Sequence, residues 1–128
     1  SHHFNRRKKS MSKSQRKIKE EKKDAYKPLV YICAPYRGNI EANIKKAIKL
    51  GRLAYIEGNI PIIPHVLFPF MDDSNEVDRK NAMFADIILL GKCSEIWVLG
   101  DNITEGMKVE IDVAKKHHKT IKYFTEVK

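Results

Sequence analysis

At 128 residues the chain has room for one domain with one core and not for two ordinary ones. Its hydrophobic fraction of 42% is near the globular average, and no apolar run approaches the roughly 18 residues of a membrane span, so no membrane partner is expected. The formal charge of +9 suggests a nucleic-acid protein until it is divided along the chain.

Residues 1–28 hold 11 Lys or Arg against 3 acidic residues, a net of +8, which leaves 14 basic against 13 acidic residues, a net of +1, for 29–128. The basic stretch has too few apolar residues to bury a core and reads as a tail, flexible or helical when docked. Any nucleic-acid contact is expected through this tail alone. Met11 followed by Ser has the form of a start, which would make Ser1 to Ser10, with His2 and His3, upstream additions. The charged N-terminus does not resemble an apolar secretory leader, so the cytoplasm is the expected compartment.

Leu29 to Ala34 (LVYICA) is a β-branched and aromatic run closed by Pro35, a buried strand. Ile40, Ile44, Ala47, Ile48, Ala54 and Tyr55 then recur at helical spacing until Gly58 and Asn59 end the pattern. Ile60 to Pro64 predicts a second strand, short or near an edge because of its two prolines. After a loop containing Pro69, Asp72, Asp73 and Ser74, a second helix is predicted over Glu76 to Lys92, with Met83, Ile87 and Leu90 on one stripe. Glu95 to Leu99 (EIWVL) is a third strand, Gly100 to Thr104 a turn, Glu105 to about His118 a third helix and Thr120 to Phe124 a last strand.

Strands alternating with helices predict an α/β domain of Rossmann-like or flavodoxin-like form, a parallel sheet of about four to five strands with helices on both faces. Ligands of such sheets sit at the carboxyl ends of strands where strand order reverses, which directs attention to the loops Pro35 to Asn39 and Gly100 to Gly106. Neither loop has the dinucleotide-binding glycine pattern or the P-loop, and no cofactor is expected. Cys33 and Cys93 have no Cys or His partner at metal-ligand spacing, so they read as buried free thiols and no metal site is expected.

Turning about 100 degrees per residue along the third helix puts Gly106, Val113, Ala114 and His117 within about 60 degrees of Glu110, with Lys108, Asp112, Lys115 and Lys116 opposite. Glu110 is therefore a carboxylate on the apolar face. Its nearness to the helix N-terminus favours the ionised form. It is either a structural Glu bonded to loop amides or a Tyr, or a nucleophile for glycosyl transfer. His65 stands where the second strand ends and is either a pocket residue or structural. Asn39, Asn43 and Trp97 read as a turn, a helix surface and a core strand.

The strings YICAPYRGN from Tyr31 and GMKVEIDVA from Gly106, with PIIPH and WVLGDNITEGMKVEI, resemble the nucleoside 2-deoxyribosyltransferase-like superfamily. This group includes deoxynucleoside 5′-monophosphate N-glycosidases, and the strings are most similar to a DUF4406-like branch of bacterial and phage domains. The resemblance covers about residues 29–125. It implies that Glu110 is the nucleophile at the anomeric carbon and that Tyr31 holds its carboxylate. It also implies that Arg37 and Gly38, in a loop with Pro35 and Tyr36, hold the sugar or phosphate end. The hydroxyl of Thr104, six residues before the nucleophile, favours a phosphate-bearing ligand, with Gly106 and Met107 lining the same site. Asp86, or Asp101 in its place, would protonate the departing base. A homo-oligomer is implied as well.

The expected activity is cleavage or transfer at the N-glycosidic bond of a (deoxy)nucleoside 5′-monophosphate. The alternatives are a non-catalytic nucleotide sensor using the same pocket, or a nucleic-acid accessory protein acting through the tail.

Overall fold

A computed structural model describes residues 26–127, so most of the basic tail lies outside the described residues. Strand β1 is Leu29–Cys33, helix α1 is Ile40–Ile56 and strand β2 is Ile60–Ile62. A single 3₁₀ turn, Pro64–Val66, leads to helix α2, Glu76–Lys92. Strand β3 (Glu95–Leu99), helix α3 (Glu105–Lys116) and strand β4 (Thr120–Phe124) complete the order.

The four strands form one parallel sheet in the order β2-β1-β3-β4, with Tyr31 opposite Ile62 on one side and Ile96 on the other. Strands β1 and β3 are central and covered on both faces, which is why both read as unbroken apolar runs. Their side chains alternate. Tyr31, Cys33, Ile96 and Val98 face α2 and α3, where Leu90, Met107, Ile111 and Ala114 pack. Val30, Ile32, Trp97 and Leu99 face α1, meeting Ala47, Leu50 and Ala54. The domain is thus a three-layer α/β unit with one helix on one face and two on the other.

Each helix starts on a side-chain cap, which satisfies an otherwise orphaned backbone N–H. Asn39 accepts from the Ala42 amide at 3.2 Å, Asn75 from Asp78 at 3.0 Å and Thr104 from Met107 at 3.2 Å. Helix α1 ends on Gly58 at φ +93°, with Asn59 N–H bonded to Ala54 O at 2.9 Å. Helix α3 ends the same way on His118 at φ +55°, with Lys119 N–H on Ala114 O at 2.9 Å.

Several boundaries differ from expectation. Strand β1 stops at Cys33 and β2 at Ile62, because Pro64 opens the 3₁₀ turn rather than extending the strand. Helix α3 stops at Lys116, which leaves His117 exposed at the cap instead of on the buried face. The buried stripe of α3 is Met107, Glu110, Ile111 and Ala114, rotated towards Met107 and Ile111 because two sheet strands and α2 converge on that side.

Candidate functional site

The connection from β1 leads to β2 on one flank, and β3 lies on the other, so the strand order reverses between β1 and β3. A cavity of about 550 Å³ lies there, walled by the end of β1, the turn after β2, one face of α2 and the first turns of α3. Glu110, Tyr36, Arg37, His65, Asp86 and Thr104 are all among its lining residues.

Glu110 is 8% exposed and is the buried charged residue of the described core. Its carboxylate accepts the Tyr31 hydroxyl, which strand alternation aims at α3. Burial raises the Glu110 pKa, while hydrogen bonds from Tyr31 and Cys33 pull it back. Desolvation is the larger of these effects and works against the favouring of the ionised form expected from the helix N-terminus. Burial and the neighbouring Glu110 charge push the Tyr31 hydroxyl far up, so it stays a donor at any ordinary pH. Cys33 is a buried free thiol, pushed up by the same two causes, and Cys93 is likewise free and buried.

Asp86 faces the cavity from α2, and its carboxyl is pushed up to about 7 by burial and then by the charge of Glu110. Its Oδ1 is buried with no hydrogen-bond partner among the described residues. Of the two acids, Glu110 holds its proton less tightly, because Tyr31 donates to it and its charge raises Asp86, whose Oδ1 has no partner among the described residues. The pair therefore sets two carboxyls of unlike proton affinity against one space. Asp101 is exposed and stands outside the cavity wall, so the structure brings Asp86 and not Asp101 into the site.

The loop after β1 is pinned from two directions. His65 Nε2 donates to Pro35 O at 2.8 Å, and its ring meets Tyr36 edge-on with centroids 5.4 Å apart. Burial lowers the His65 pKa, with the Pro35 carbonyl opposing, which keeps the ring neutral and leaves one nitrogen to donate. Arg37 lies at the cavity mouth and pairs with Asp73 at 3.2 Å, both side chains well exposed. Gly38, at φ +97°, turns the chain just outside the wall. Thr104 reaches the wall, but its hydroxyl is used as the α3 cap. Gly106 and Met107 line the wall beneath it.

Two contributors escaped the sequence reading. Asn43 reads as helix surface, yet its side chain holds the β1 loop. Arg79 lies on the cavity stripe of α2 with Ala82, Met83 and Asp86. Its spacing of seven from Asp86 was the available signal, since two helical turns return to one face. Among the described residues no cluster of His, Cys, Asp or Glu has the makings of a metal site, and no helix is long and apolar enough to cross a membrane.

Compared with known proteins, residues 28–124 match the model of a family described as Domain of unknown function (DUF7768). No curated protein matches the chain.

Proposed function

The chain belongs to that family, and from this premise and the cavity's chemistry we propose that it cleaves or transfers at the N-glycosidic bond of a (deoxy)nucleoside 5′-monophosphate. The observation that carries the reading is the pair of carboxyls, Glu110 tethered by Tyr31 and Asp86 untethered, that line one cavity with unlike proton affinities. Two such carboxyls are what glycosidic chemistry by a covalent route requires.

In the proposed sequence, a Glu110 carboxylate oxygen bonds to the anomeric carbon as the bond from that carbon to the base nitrogen breaks. The electron pair leaves with the base, and Asp86 supplies the proton. Water then attacks the same carbon, Asp86 takes back a proton, and the ester to Glu110 opens to release the sugar phosphate. A second base in place of water makes the reaction a transfer. Tyr31 orients Glu110 and stabilises its charge. The mouth, with Arg37 and the start of α3, suits the phosphate end, and His65 and Tyr36 offer apolar ring surface to the rest of the ligand.

A homo-oligomer fits the other side of α2. Val77, Phe84 and Ile88 are spaced by seven and four on one helical stripe and are exposed, Phe84 by 70%. Phe70, in the loop before, extends the apolar patch.

The deciding experiment incubates the protein with the common ribo- and deoxyribonucleoside 5′-monophosphates and follows free base by chromatography. Release of a base from at least one supports the reading. Calorimetric binding of a nucleotide with no base released from any of them replaces it with the sensor reading.

A further inference from the structure

We propose that Asn43 is a positioning residue that keeps two backbone N–H groups of the β1 loop turned outward to hold a phosphoryl group. The inference rests on the reading of the cavity as a site for a phosphorylated ligand. Its physical basis is local and separate from the carboxyl pair.

Asn43 lies in the first turn of α1, one helical turn after the cap Asn39. Its Nδ2 donates to Tyr36 O at 3.1 Å and to Arg37 O at 3.0 Å, so both hydrogens of one amide hold successive carbonyls. His65 holds the carbonyl before them, that of Pro35. Peptide units are planar and here none is cis, so each carbonyl fixes the direction of the N–H that follows it. With Tyr36 O and Arg37 O drawn towards α1, the N–H groups of Arg37 and Gly38 must point away from it.

Neither of these two N–H groups has an acceptor among the described residues. Gly38, at φ +97°, permits the reversal that brings Arg37 O back to Asn43, and a Cβ at this position would be strained whatever space surrounds it. Adjacent outward amides form a concavity suited to anions. Arg37, which lines the cavity and pairs with Asp73 at 3.2 Å, puts a guanidinium beside them. Asn43 itself stays outside the cavity wall and acts through the loop.

The test titrates ¹⁵N-labelled protein with inorganic phosphate. The Arg37 and Gly38 amide protons should move downfield together, and Asn43→Ala should weaken that response about 10-fold with little change in melting temperature. Asn43→Asp keeps the shape but turns acceptors towards two carbonyls, so it should lose the response too, which separates hydrogen bonding from packing. The inference is overturned if the two amides stay still in the wild type, if other amides respond in their place, or if both variants respond as the wild type does. Phosphate-dependent shifts without base release from any nucleotide would leave this inference standing and remove the glycosidic reading. Base release with unmoved amides would do the reverse.

Discussion

The Tyr31 hydroxyl, on a central strand, donates to the carboxylate of Glu110 across 79 positions of sequence, tying β1 to the second turn of α3. The contact exists because alternation sends Tyr31 to the α3 face, where a helical stripe otherwise apolar presents one acid. Tyr31→Phe leaves that acid buried without its main donor, so its pKa rises further. Each unit of rise removes about tenfold of the ionised form at fixed pH. The acid limb of the pH–rate profile for base release should therefore move to higher pH. Glu110→Gln should abolish release by several orders of magnitude while calorimetry still detects nucleotide binding. Full activity in the Gln variant would exclude Glu110 as nucleophile.

Asp86 makes the protein sensitive to pH in the opposite direction from a salt-bridged acid. Its folded pKa, about 7, lies above the ordinary 3.8, so the folded state binds the extra proton. The associated stability is complete below about pH 4 and is lost as pH rises through about 7. Asp86→Asn should remove that decline and gain roughly 1 to 2 kcal/mol at pH 8, a figure discounted for partial exposure. Denaturant melts at pH 5 and pH 8 measure it. Base release should fall above about pH 7 in the wild type as the proton donor is lost.

Arg37 and Asp73 form an exposed pair, so their attraction adds little to stability. Removing the acid should free the cation for the ligand. Asp73→Ala is expected to tighten binding of a nucleoside monophosphate relative to its nucleoside, and Arg37→Ala to weaken it by about 10-fold or more. Calorimetry with both ligands decides. A monophosphate preference untouched by either change would place the phosphate elsewhere.

Phe84→Lys tests assembly without disturbing the core, since the side chain is exposed. Sedimentation should show an oligomer for the wild type and a monomer for the variant, with melting cooperative in both. A monomeric wild type ends the oligomer reading.

His118 carries a left-handed backbone at φ +55°, where Gly58 does the same duty for α1. His118→Gly should stabilise the domain by about 1 kcal/mol, seen as a rise of a few degrees in melting temperature. A fall would mean that the His118 side chain makes a contact worth more than the strain.

Much of this arrangement was legible from periodicity. Helix α2, β3 and β4 have the expected bounds, β3 because its apolar run ends at Gly100, and the isolated acid on α3 marked Glu110. The choice of Asp86 over Asp101 was not legible, since it depends on which face of α2 meets the sheet. Asn43 was hidden for a similar reason. A polar residue in a first helical turn looks the same whether it faces water or a returning loop. The raised pKa of Glu110 needed the packed structure, because desolvation depends on neighbours far away in sequence.

The single tryptophan, Trp97, is fully buried against Phe124 on the α1 side of the sheet, and its Nε1 donates to Glu95 at 2.9 Å. The Tyr31 and Glu110 contact lies on the other side. Intrinsic fluorescence should therefore follow unfolding faithfully and be nearly blind to a ligand entering the cavity. An equilibrium melt and a binding titration can then share one sample, the first read from the indole emission and the second from heat.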